Sequence, residues 1–145
     1  MEYRNIEITI KELNDDSEWS YINYFKHELD DIKAVIVIFD VTNENSFNLA
    51  KTFINYVQTN TSVFLQIFLL GNKCDLEMEA IISTRDVFDF LKNKECINYI
   101  ECSCKTETNI EKFFNLLEDT LTNECINGKF RVIQNENSGS CYIIW

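Results

Sequence analysis

Proline is absent, and glycine occurs only at Gly71, Gly128 and Gly139. A phosphate-cradling loop built on glycine's backbone freedom is therefore excluded from everything before residue 71. There is one histidine, His27, and the six cysteines (74, 96, 102, 104, 125 and 141) contain no C-x-x-C pair. Cys102 and Cys104 form the one close pair and lack a second to complete a metal site, so no metal is expected. Basic side chains are scarce: 13 Lys and Arg face 24 Asp and Glu, a formal charge of −11. That surface repels phosphate backbones and anionic lipid, which argues against a nucleic-acid partner and a polybasic membrane grip. The longest apolar run, Ala34 to Phe39, has six residues, against roughly 20 for a membrane-spanning helix. The start, MEYRNIEITI, has no basic segment followed by an apolar one, so no secretory signal is read. The thiols are expected to be reduced and the location cytoplasmic.

What is present fits one globular domain. The 145 residues are 46% hydrophobic and 26% charged, enough for a proper core. The apolar pattern changes period along the chain. Ile6, Ile8 and Ile10 alternate with polar residues as a half-buried strand. Ser17 to about Leu29 reads as a helix. Ala34 to Phe39 is rich in β-branched residues and apolar on both faces, as in a central parallel strand. Asn45 or Ser46 to about Thr59 reads as a helix with Phe47, Leu49, Phe53, Ile54 and Val57 apolar. Val63–Leu70 reads as a second buried strand, and Thr84 or Arg85 to Lys92 as a helix carrying Val87, Phe88 and Leu91. Ile97–Ile100 is a third short strand. Asn109 opens a last helix with Ile110, Phe113, Phe114, Leu117 and Leu121 at helical spacing. Strands alternating with helices predict an α/β fold with a mostly parallel sheet. Ligands in such sheets bind beyond the carboxyl ends of the strands, which directs attention to loops 11–18, 40–45, 71–77 and 101–108.

Two of those loops carry recognisable chemistry. Leu69-Leu70-Gly71-Asn72-Lys73-Cys74-Asp75 follows one apolar strand, and Glu101-Cys102-Ser103-Cys104-Lys105-Thr106 follows another. This N-K-x-D and S-x-K pair resembles the guanine-recognition half of Ras-superfamily small GTPases. Asp40-Val41-Thr42 with Ser46-Phe47, and Asn109-Ile110-Glu111 with Phe114, are similar to stretches of the Rab branch. The resemblance covers roughly residues 20–121. It implies a P-loop-NTPase-like three-layer α/β sandwich with its N-terminal elements missing: a partial Rab-like domain over 1–122 and a tail over 123–145 that docks on the domain or stays disordered. It implies a guanine slot of Asn72, Lys73, Asp75, Ser103, Cys104 and Lys105. Asp75 would accept two parallel hydrogen bonds from guanine N1–H and its exocyclic amine, a donor pair adenine lacks. Asn72 would tie the two loops and reach N7. The Lys73 and Lys105 stems would cover the ring faces, and the Cys104 N–H would donate to O6. The family has alanine where Cys104 stands, so the added sulfur could crowd the slot.

Four working parts of the family are not found: the G-x-x-x-x-G-K-[ST] loop, the switch threonine on Mg²⁺, the D-x-x-G turn and the glutamine after it. Residues 11–18, KELNDDSE, put carboxylates where phosphates would lie. Weak GTP or GDP binding is expected, with no catalytic residue and no Mg²⁺ held by this chain. The resemblance also implies effector or regulator partners of the trafficking machinery, a role in vesicle transport and a peripheral place on endomembranes. The alternative is a pseudo-GTPase interaction module that binds no nucleotide. Cys141 is fifth from the end, whereas a C-a-a-X box needs the fourth, so membrane association is left open.

Two registers against the family are possible. In one, Ile6–Ile10 is the family's third strand, favoured by Tyr24-Phe25-Lys26, which resembles the "Y-Y-R" preceding the next Rab strand. In the other it is the first strand, followed by a degenerate phosphate loop. The family's first strand lies between the third and fourth, so the first register leaves a gap in mid-sheet. The expectation is that strand 6–10 moves over and pairs directly with 34–39.

Overall fold

A computed structural model describes residues 9–13, 32–60, 65–126 and 140–144. The strands are β1 (Thr9–Leu13), β2 (Ile32–Asp40), β3 (Gln66–Asn72), β4 (Ile97–Glu101) and β5 (Ser140–Ile144). The helices are α1 (Glu44–Asn60), α2 (Thr84–Leu91) and α3 (Ile110–Ile126). The expected helix over 17–29 lies outside the described residues.

Val35, Val37 and Phe39 of β2 face one side of the sheet, with Ile67 and Leu69 of β3. Ala34 and Ile36 face the other, with Phe68 and Leu70. The apolar run thus buries both faces, as the two-sided layering of a parallel sheet requires. On the first side α1 packs Phe47, Ala50, Phe53, Ile54 and Val57, a stripe at helical spacing, and α2 adds Val87. On the second side α3 packs Phe113, Leu117 and Leu121, one turn apart. Among the described residues, two helices on one face and one on the other make the three layers. Leu49, Phe88 and Phe114, grouped by sequence with the apolar faces, are instead about half exposed; each falls off the buried stripe of its helix.

The helix starts follow local chemistry. Asn43 Oδ1 accepts from the N–H groups of Asn45 and Ser46 at 3.0 and 3.2 Å, capping α1. Ser83 and Asp86 form a reciprocal capping box at α2.

The five described strands are all parallel, in the order β1-β5-β2-β3-β4. The direct pairing expected between the first strand and residues 34–39 is not what forms. β5 stands between them, with Thr9–Leu13 against Ser140–Ile144 on one side and Ile32–Val37 against the same residues on the other. β5 therefore fills the mid-sheet gap, satisfying edges that would otherwise be left open. The β2–β5 ladder shifts register between Ile32 and Ala34, leaving Lys33 as an extra residue.

Two registers position the candidate site. Asp40 lies across from Asn72, and Gly71 lies across from Glu101. The carboxyl ends of β2, β3 and β4 are thereby level along one edge of the sheet.

Candidate guanine-recognition loops

The loop leaving β3 turns at once. Lys73 has φ of 66°, and Leu76 N–H donates to Lys73 O at 3.0 Å. The loop leaving β4 is stitched to it by backbone bonds. Cys102 N–H donates to Gly71 O at 2.8 Å, and Cys74 N–H donates to Cys102 O at 3.0 Å. Gly71 is needed for close approach: a Cβ there would lie 2.8 Å from Tyr99 Oη and 3.2 Å from Phe39 Cζ and Val41 Cγ1.

The second loop closes on itself. Ser103 and Thr108 form an isolated antiparallel bridge, with Ser103 N–H donating to Thr108 O at 3.1 Å. Glu107 and Asn109 take positive φ of 61° and 60° to complete the turn. Asn109 Nδ2 donates to Glu101 O at 2.8 Å, fixing the start of α3 to the end of β4.

The side chains then meet between the loops. Ser103 is fully buried, and its hydroxyl donates to Asp75 Oδ1 at 2.5 Å while accepting from Thr106 N–H at 3.2 Å. One oxygen of Asp75 is thus oriented by a buried donor, and Asp75 itself remains partly exposed. Asn72 Oδ1 accepts the Cys104 N–H at 3.1 Å, across 32 residues of sequence. Asn72, Asp75, Ser103 and Cys104 therefore share one junction.

The lysines are placed differently. Lys73 Nζ pairs with Asp40 Oδ2 at 2.5 Å. Asp40 Oδ1 also accepts from Thr42 N–H at 2.8 Å and Thr42 Oγ1 at 2.7 Å. Burial acts to raise the Asp40 pKa, but Lys73 and the two Thr42 donors outweigh it and hold it below its ordinary 3.8. The same pair, through its hydrogen bond first, raises Lys73 above 10.5. Lys105 lies exposed in the 104–107 turn.

Asp40 has no assigned role in the motif pair. Its signal was available: an acidic residue directly after a buried strand, at the sheet edge where ligands gather. Its partner was not, because that depends on the β2–β3 register.

Three thiols surround this junction. Cys102 is buried, and burial first, then the neighbouring Cys104 and Cys74, pushes its pKa up to about 12. Burial likewise raises Cys74. Cys104 is exposed. Among the described residues no group of three His, Cys, Asp or Glu could hold a metal ion, and no helix is long and apolar enough to cross a membrane.

A parallel α/β sandwich with N-K-x-D and S-x-K loops apposed at its carboxyl edge defines a small-GTPase type of domain. The Ras family model matches residues 9–123, and the chain belongs to the Ras family, as a Rab-like small GTPase. It is 33% identical over 90 residues to the Ras-related protein Rab-8B of Pongo abelii, covering 61% of this chain and 43% of that protein. It is 34% identical over 90 residues to the Ras-related protein RIC1 of Oryza sativa subsp. japonica, covering 62% and 44%. It is 36% identical over 81 residues to the Ras-related protein RABD2c of Arabidopsis thaliana, covering 56% and 40%. The chain thus spans less than half the length of the curated relatives it matches.

Proposed function

We propose that the two apposed loops form a guanine slot that binds GTP or GDP weakly through the base alone. The observation that carries this reading is the Asp75 carboxylate, held by buried Ser103 Oγ at 2.5 Å. A carboxylate so oriented suits the N1–H and amine donors of guanine. The phosphate end has no counterpart in the sequence: no glycine precedes Gly71, and the Asp40 carboxylate already accepts three hydrogen bonds. Base contacts alone are worth about −4 to −6 kcal/mol, a Kd on the order of 0.05 to 1 mM. In this reading the chain holds no Mg²⁺ and does not hydrolyse GTP. Its cellular role is in vesicle transport, through effector or regulator proteins.

Calorimetry with GDP, GTP and guanosine, each with and without Mg²⁺, tests this. Similar affinities for all three, indifferent to the metal, are expected. Asp75→Ala should abolish preference for guanosine over adenosine; retained preference removes Asp75 from the slot.

A second reading has its own support. The Cys104 N–H that would serve guanine O6 is engaged by Asn72 Oδ1, and Lys73 is engaged by Asp40. Loops satisfied internally suit a pseudo-GTPase module that binds a protein partner and no nucleotide. An absence of heat at millimolar guanosine selects this reading.

A further inference from the structure

β5 is the last described element in sequence, yet in the sheet it stands between β1 and β2. All five of its residues are paired on the β1 side and again on the β2 side. Among the described residues, β1 joins the sheet through β5 alone. β5 also lies outside the residues 9–123 that the Ras family model matches. The strand at the centre of this half of the sheet therefore lies outside the stretch that the family model matches, whereas its neighbours lie inside it.

The β5 pairings are the most distant in sequence of any in the sheet. β2, β3 and β4, by contrast, follow one another through α1 and α2 as successive crossover units. Loop-closure entropy makes the β5 pairings the slowest to form. Until they form, the β2 edge presents unpaired backbone along Ala34–Val37, residues that are at most 1% exposed in the completed fold. An open apolar edge of that kind is a template for any strand with the right register.

We propose that the gap between β1 and β2 is a strand-accepting site, that Ser140–Ile144 is a separable ligand for it, and that the natural partner in trans is the same segment of a second copy of this chain. The ligand class is an extended apolar segment entering parallel to β2. Register gives selectivity, because a one-residue slip turns every side chain to the opposite face, and the extra residue at Lys33 fixes where the ladder starts. The connection over 127–139 can span about 40 Å when extended, enough to pass from one copy to another in contact. The site is independent of any guanine binding.

The test uses the full chain with a protease site introduced between residues 127 and 139, cleaved after folding. The fragment carrying β5 should stay bound through size-exclusion chromatography. It should then be replaced, one to one, by a labelled synthetic peptide of residues 138–145. A scrambled peptide should not enter, and the Ile143→Pro peptide should bind at least tenfold more weakly, since it lacks a ladder N–H. Release on cleavage, retention without replacement, or equal entry of the scrambled peptide overturns the proposal. The uncut chain supplies a second measurement. Two isotopically distinct populations refolded together at high concentration should give mixed dimers by native mass spectrometry, and dilute refolding should give monomers. Monomers at every concentration overturn it as well.

Discussion

Replacing Gly71 by alanine adds one methyl where the loops leave the sheet. That carbon would lie 2.8 Å from Tyr99 Oη, a contact real Cβ atoms essentially never make, and 3.2 Å from Phe39 and Val41. None of these can retreat freely. Phe39 is 2% exposed and packs against Phe47 at 4.8 Å and Tyr99 at 6.4 Å between ring centroids. Tyr99 meets Phe88 edge-on at 5.9 Å, and its hydroxyl donates to Glu101 Oε1 at 3.1 Å. Overpacking of this kind costs about 1–3 kcal/mol. Alanine recovers roughly 0.4–1 kcal/mol by restricting the unfolded chain, so a net loss of about 1–2 kcal/mol is expected. At this chain length that lowers Tm by roughly 3–8 °C. Urea and thermal denaturation followed by circular dichroism measure it. Tyr99→Phe removes the nearest clashing atom and one hydrogen bond, a loss of about 0.5–1.5 kcal/mol alone. The double variant should be better than the sum of the two by about 1 kcal/mol. A neutral Gly71→Ala, or strict additivity of the pair, would refute the steric reasoning.

Leu117 is fully buried under the sheet, so Leu117→Ala should destabilise by about 3–5 kcal/mol, whereas Met78→Ala, at a side chain 99% exposed, should change stability by less than about 0.5 kcal/mol; paired urea titrations check both. The Asp40–Lys73 pair gives a pH signature. The depressed Asp40 pKa contributes stability present above its ordinary 3.8 and lost as pH falls through the lower folded value. The raised Lys73 pKa contributes stability present below its ordinary 10.5 and lost as pH rises through the higher folded value. The stability difference between the native chain and Asp40→Asn should therefore be flat across neutral pH and shrink at both extremes; a difference unchanged at pH 2 would contradict the pairing. Iodoacetamide at pH 8 should label exposed Cys104 in the folded protein well before Cys102, which is 1% exposed with its pKa near 12. Mass spectrometry of tryptic fragments reads the order, and equal rates would contradict the burial of Cys102.

Much of this architecture is visible in the residues themselves. A β-branched run such as Ala34–Phe39 has few outcomes other than a two-sided buried strand, and the spacing of Phe47, Ala50, Ile54 and Val57 fixes one face of α1. The two loops announce themselves because each follows such a strand. Helix faces are read less well where aromatics cluster: Phe113 and Phe114 are adjacent, and only geometry shows that the first points inward and the second stays about half exposed. Pairing across the sheet is not legible. β5 is five residues long, a span in which period-two alternation is a weak signal, and its place depends on partners far away in sequence. The Asp40–Lys73 contact is hidden for the same reason, because it exists only once β2 and β3 align Asp40 with Asn72.

A ribosome making this protein would emit β2, α1, β3, α2, β4 and α3 in an order that lets each dock on its predecessor. β1, the first described strand in sequence, has no described neighbour except β5, the last described one. Until that strand is made, the nascent polypeptide would carry a waiting hydrophobic seam, and the sheet could be zipped shut only after Ile144 had emerged.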